Sequence, residues 1–362
     1  MQLRVVDLSR VLAGPLCTMI LGDLGAHVVK VERSAAGDET RGWGPPFDER
    51  GESAYYLSVN RNKKSLAADL RDRSDRDVVL ALIADADVVV ENFLPGSLDR
   101  LGIAAPDLLE RHADLIWCTI SGFGPGSERP GYDFVVQAEC GWMSINGEPE
   151  GAPMRAGVAL ADVNAGKDAV IAILAAVTER SAGQLPASRR LINISLAASA
   201  RAALVNVAQN VLVSGREAGR WGNAHPNLVP YQLFAASDRA VVIAVGTDAQ
   251  WRSCATALGL ASLAADPGLA RNSQRVERRE SVVSAFATRV REMRAEDVVA
   301  ALDAVHVPCG LVRTVSEAIT GAGGSAVTGI PPAIPGSVRL APPLLNEHGE
   351  ELRALGWRAF RP

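Results

Sequence analysis

Cysteine is sparse, scattered and odd in number. Cys17, Cys118, Cys140, Cys254 and Cys309 form no CxxC pair in the 362 residues. That leaves no basis for a zinc knuckle or a disulfide framework, and the expected setting is a reducing cytoplasm. The five histidines, His27, His112, His225, His306 and His348, show no metal-ligand spacing, so no metal is expected. No apolar run approaches the roughly 18 residues of a membrane span, and "MQLRVVDLSR" lacks the apolar core of a signal peptide. There is no excess of positive charge either. The formal net charge is −4 and the pI about 5.8, which argues against nucleic acid as a partner. Lysine occurs only four times, against 33 arginines, which makes Lys63-Lys64 conspicuous.

Familiar nucleotide and hydrolase signatures are missing too. No G-x-G-x-x-G follows the first strand-like segment; the turn there is "SRVLAGP". Glu32 ends the second such segment, where an acid could meet the ribose of NAD, but one acid at a strand end is usually just solvated. "NAGKD" lacks the upstream glycine and the Ser/Thr of a P-loop, and no G-x-S-x-G occurs.

What is present is a large apolar fraction, 48%, in alternating strand and helix patterns. "LRVVDLS" reads as a buried strand, "LCTMILGDLGA" as a helix and "HVVKVE" as a second strand. "DVVLALIADADVVVENF" repeats helix then strand, and "DLIWCTISGFG" adds a strand that ends in a glycine loop. The expected class is α/β with a parallel, doubly wound sheet. Ligands of such sheets lie outside the carboxyl ends of the strands, where Glu91-Asn92-Phe93, Ser121-Gly122-Phe123 and Asp162 are expected. Residues 1–195 form the larger domain in this reading. A linker helix spans 196–221, a smaller α+β domain covers 222–312 with a strand hairpin around "ASDR", and a connector and return to the large domain occupy 313–362.

Three stretches carry candidate chemistry. "SGFGPGSERPGYD", 121–133, is either an ordinary long loop or one whose exposed amides approach a ligand and present Tyr132 and Asp133. "VNRNKKSL", 59–66, is either a solvated basic turn or a phosphate contact. "GVALADVNAGKDAVIAILAAV", 157–177, reads as a short strand, a polar turn and a long helix, with Asp162 in the turn. Asp162 there suits a helix N-cap. It also suits a nucleophile, because a carboxylate near a helix N-terminus is favoured in its ionised form. The two roles are compatible.

"DLSRVLAGPLCTMILGDLGAHVVKVE", "GDETR", "NRNKKSLAADL", "ADVVVENFLPGSLDRLG", "ISGFGPGSERPGYDFVVQA", "GNAHPNLVPYQLF" and "RLAPPLLNEHGEEL" run in order along nearly the whole chain. Together they resemble the class III CoA-transferases, the formyl-CoA transferase and carnitine CoA-transferase (CaiB/BaiF) family. The resemblance implies an interlocked homodimer, with a Rossmann-like large domain built from both chain ends. It implies coenzyme A as co-substrate, with an acyl-CoA and a carboxylic acid as substrates. The catalytic aspartate matches Asp162, and active-site loop positions match Tyr132 and Asp133. CoA-contacting positions match Val11, Arg33, Arg71, Asn92, Phe93 and Arg100, with Arg100 near the phosphates. "GNAHPN" matches a glycine-rich lid that shields intermediates. The family's route passes through a mixed anhydride, an aspartyl-CoA thioester and a second anhydride. It removes no proton from the aspartate, so the lack of a base beside Asp162 is no obstacle. α-Methylacyl-CoA racemases share this fold but carry "GHD" where this chain has "GYD", and a tyrosine is a poor base for α-proton exchange. The sequence departs from relatives at Asn193, where they usually carry Asp, and in the short connector "TGAGGSAVTGI". These departures leave an altered substrate or a non-catalytic CoA-binding paralogue as alternatives.

Overall fold

The structure, a computed structural model, describes residues 2–360. The chain divides into two units. The first comprises Met1–Met143, Arg155–Arg216 and Gly321–Pro362, and the second Ser144–Met154 and Glu217–Thr320. Both ends of the chain therefore belong to the first unit.

Six parallel strands organise the first unit: β1 (Arg4–Asp7), β2 (His27–Glu32), β3 (Lys63–Ala67), β4 (Val88–Glu91), β5 (Ile116–Ser121) and β6 (Leu191–Ser195). Their order is β3-β2-β1-β4-β5-β6. Alternate strand residues feed two cores. Val5, Val28, Val88, Ile116 and Cys118 pack with residues of the Ala13–Asp23 and Leu160–Ser181 helices. Val6, Val29, Val89 and Trp117 pack with the Arg73–Ala84, Ala105–Arg111 and Gly349–Leu355 helices. Apolar cover on both faces explains why the inner strands read as unbroken Val/Ile runs. β6 is an edge strand with one exposed face, and the sequence analysis does not identify it.

Charge is buried inside this unit as well. Lys63 and Asp7 pair at 3.0 Å, and so do Lys30 and Asp38, with all four side chains fully buried. Burial alone would raise the Asp7 pKa, but Lys63 and Lys30 outweigh it and hold it down to about 2. "VNRNKKSL" is thus neither a solvated turn nor a free phosphate contact. Arg61 grips Asp23 with two hydrogen bonds, at 2.9 and 2.7 Å, and donates to the carbonyls of Thr328 and Ile330. Asn62, at φ 62°, accepts from the N–H groups of Arg339 and Leu340. The basic cluster fastens the returning chain to the first half of the unit, because buried charges persist only when paired.

The segment expected as one helix from 196 is two, Leu196–Ala202 and Val205–Ser214, bent by 69°. No glycine or proline marks the break, and the Val205–Ser214 helix buries none of its residues.

The second unit holds an antiparallel sheet of β7 (Tyr231–Ala235), β8 (Ala240–Ala244) and β9 (Cys309–Leu311), and the expected hairpin is present. Val241, Ile243, Trp251 and Phe286 lie in its core. Beside them the buried Arg275 donates to the carbonyls of Val229 and Leu269 and to Asp248.

Removing one partner of a buried pair strands the other. Asp7→Asn should cost about 3–5 kcal/mol in urea unfolding. The double variant Asp7→Asn/Lys63→Met should recover most of that loss. Equal losses in the single and double variants would contradict this account of the pair.

Candidate active site

Asp162 is the third residue of the Leu160–Ser181 helix, whose N-cap is Ala159. No strand precedes it, and Asp162 does not cap the helix. The expectation of a strand and a capping aspartate fails because Leu160 turns back at once onto the carbonyl of Val158, at 2.8 Å. The cap comes from elsewhere. Asp133 Oδ1 accepts the N–H of Ala161 at 2.8 Å, and its Oδ2 accepts Gln137 Nε2 at 2.6 Å. Gln137 Oε1 in turn accepts the N–H of Ala156 at 2.9 Å. The Asp133–Glu139 helix thus supplies the side chains that fix the start of the Asp162 helix.

The Asp162 carboxyl is left free by this arrangement; no hydrogen bond from the described residues reaches it. Burial, and then the charge of Asp133, push its pKa up to about 7. This reverses the expectation that the helix start keeps it ionised. A helix terminus contributes only about 0.3–1 kcal/mol at an exposed site, and desolvation outweighs that here.

Tyr55 shares the same electrostatic surroundings. Its ring meets Trp43 edge-on at 5.1 Å. Burial, with the charges of Asp162, Asp133 and Asp38, pushes its phenol up to about 12, so it remains a hydrogen-bond donor. Sequence reasoning missed it; the only local cue is "AYYL" behind Ser53, whose side chain caps that helix. Tyr132 is 54% exposed and, with exposed Phe134, Val158 and Leu160, contributes apolar surface close in sequence to Asp133 and Asp162.

The Asp162 helix rests on the start of the Ala13–Asp23 helix, just beyond the turn after β1. A Cβ on Gly166 would stand 2.7 Å from the carbonyl oxygen of Ala13, so only glycine permits this approach. Val11 occupies that turn at φ 70°, a strained conformation for a β-branched residue. Its N–H points at the Asp38 carboxylate, 3.3 Å away. Asn92 brackets the neighbouring residue, accepting from Arg10 N at 2.9 Å and donating to Arg10 O at 2.7 Å. Val11 and Asn92, both expected at a ligand, thus tie down the turn that carries Arg10; neither lines the two cavities described next.

A cleft of about 460 Å³ opens at the carboxyl ends of β1, β2 and β3. Arg10, Arg33, Arg71 and Phe93 line it. Phe93 also borders a second cavity of about 280 Å³, with Glu91, Thr119, Ser121 and Asn193. Burial raises the Glu91 carboxyl, which accepts from Thr119 and from the N–H of Phe93. Arg100 lines neither cavity; its side chain donates to Ser97 Oγ. The glycine loop is pinched at its base, where a Cβ on Gly122 would stand 2.5 Å from the Cα of Gly131. "GNAHPN" lies in the second unit, where His225 packs on Tyr231 and Arg279 holds the carbonyls of His225 and Pro226. Among the described residues, no group of His, Cys, Asp or Glu is placed to hold a metal ion. No single helix there is long and apolar enough to cross a membrane.

The family model for CoA-transferase family III matches residues 1–330. A succinate–glutarate CoA-transferase of Agrobacterium fabrum is 39% identical over 87% of this chain and 80% of that enzyme. An acetyl-CoA:oxalate CoA-transferase of Acetobacter aceti is 33% identical over 97% of this chain and 94% of that enzyme. The crystal structure of a CaiB/BaiF family protein from Brucella suis superposes with a TM-score of 0.83. It is 39% identical and covers 97% of both chains.

A ¹³C titration of the side-chain carboxyls should place the Asp162 midpoint near 7. Asp133→Asn removes the neighbouring charge while keeping an acceptor for Ala161, and should move the midpoint down. A midpoint near 4 in the unaltered protein would contradict this reading of the site.

Proposed function

The chain belongs to CoA-transferase family III, and from that premise we propose that it moves CoA from an acyl-CoA to a small dicarboxylic acid through covalent intermediates on Asp162. The observation that carries this is the free Asp162 carboxyl, held in place by its backbone and kept basic by burial and Asp133. A more basic carboxylate is a better nucleophile once ionised. The dicarboxylate is supported by the succinate, glutarate and oxalate named for the relatives.

The steps balance without redox chemistry or net proton transfer. An Asp162 oxygen attacks the thioester carbonyl, and the C–S bond breaks to give a mixed anhydride and CoA thiolate. The thiolate attacks the aspartyl carbonyl, releasing the donor carboxylate and leaving an aspartyl-CoA thioester. The acceptor carboxylate attacks that thioester and frees the thiolate again. The thiolate then attacks the acceptor's carbonyl in the second anhydride, giving product acyl-CoA and Asp162. Tyr55, kept protonated, is a donor for the oxyanions formed on the way.

The sheet order fits a Rossmann-like CoA domain. The cleft fits the nucleotide end, since three arginines suit phosphates and Phe93 suits the adenine. Val205, Leu212 and Val213 on the Val205–Ser214 helix are 69%, 78% and 78% exposed. So much apolar surface on one helix supports a homodimer that covers it.

Asp162→Asn should fold and bind CoA, yet lose at least about 10³-fold in transfer rate, after deamidation back to Asp is excluded. In the unaltered enzyme kcat/KM should rise with pH through about 7 and then level, because the ionised carboxylate is the reactive form. Transfer at near the unaltered rate by Asp162→Asn would remove the nucleophile. Sedimentation at micromolar concentration should show a dimer; a well-folded monomer would refute the assembly.

A further inference from the structure

Resting on that reading, we infer that Arg155 receives the second, unreacting carboxylate of a dicarboxylic substrate. The electrostatic need comes first. Asp162, Asp133 and Asp38 already bear on one neighbourhood, as their common influence on Tyr55 shows. A substrate that brings two carboxylates into it is repelled unless a cation offsets the charge. Most cations at hand are already committed. Lys30 pairs with Asp38 and Arg129 with Glu139, while Arg10 and Arg33, beside Glu39, line the cleft assigned to the nucleotide.

Arg155 is different. It is exposed and has no acidic partner among the described residues. Its guanidinium lies 5.8 Å from the ring centroid of Phe134, the residue after Asp133. A cation on an aromatic face keeps its N–H edges free for a carboxylate, which the guanidinium fork matches with two parallel bonds. Its place is fixed by the network that fixes Asp162. The N–H of Ala156, the next residue, is held by Gln137, which holds Asp133, which holds the N–H of Ala161. Arg155 and Asp162 are thus the sequence neighbours of the two amides, of Ala156 and Ala161, that this frame holds. Two other cations fit less well. Lys167 is five residues beyond Asp162 on the helix, and at 3.6 residues per turn it falls on another face. Arg201 lies against Cys140, at the far end of the Asp133–Glu139 helix.

The test compares acceptors of equal length with one acidic end or two. With one acyl-CoA donor, Arg155→Leu should raise KM for glutarate about 10-fold or more and leave KM and kcat for pentanoate unchanged. Arg155→Lys should restore part of the glutarate preference. Equal losses on both acids, or no change on either, would overturn the assignment. Binding of glutarate is read separately by ligand-observed NMR on the full-length protein. If the unaltered enzyme transfers CoA to no acid, the transfer reading fails. Glutarate binding lost in Arg155→Leu would still support the assignment, and unchanged binding would still overturn it.

Discussion

Asp133 has both carboxylate oxygens committed, one to the backbone at the start of the Asp162 helix and one to Gln137. The residue at the cap position, Ala159, has no side-chain acceptor to offer. The helix start therefore depends on an acid from another element. Burial raises the Asp162 pKa, and the same acid adds to that rise by placing a negative charge beside it. One side chain thereby does two things that pull apart: it locates the Asp162 carboxyl, and it makes that carboxyl harder to ionise. Raised basicity suits a nucleophile or a general base, whereas a capping aspartate gains nothing from it.

The turn after β1 depends on charges as well. Val11 is held at a positive φ with its N–H toward Asp38, and the burial of Asp38 is offset by Lys30 together with the N–H and hydroxyl of Thr40. Lys30 also donates to the carbonyl of Ser9, and Asn92 ties Arg10 from β4. The turn so fixed leads into Ala13, whose carbonyl meets the Asp162 helix at Gly166, while Arg10 lines the cleft. Two buried lysines, in a chain with only four, are spent on this scaffold. That a CoA-transferase places ionic pairs beneath its site, where apolar side chains would pack more cheaply, fits a demand for fixed geometry.

The parts legible in the sequence were those with local signals. The inner strands show as apolar runs because helices cover both faces, and the β-α-β opening follows from period and length. Asp162 stands out as an acid between apolar stretches, and the ordered motifs point to the family. Other parts depend on partners distant in sequence. Lys63 reads as surface charge until Asp7, 56 residues earlier, is seen beside it. "GVAL" has the composition of a strand, and only the acceptor at Asp133, 28 residues before Ala161, shows where the helix begins. β6 alternates over five residues with one face exposed, too short a pattern to separate from a loop. Tyr55 carries no motif and is placed only by folding.

The central claim is that the acceptor's oxygen passes through Asp162. If it does, an acceptor labelled with ¹⁸O in both carboxylate oxygens leaves one label on the enzyme. The thiolate attacks the acceptor's carbonyl, and the bridging oxygen stays with the aspartate. After turnover and proteolysis, the peptide containing Asp162 should carry ¹⁸O, and the product acyl-CoA should retain one labelled oxygen at the new thioester. An Asp162 peptide without label, alongside labelled product, would contradict the account.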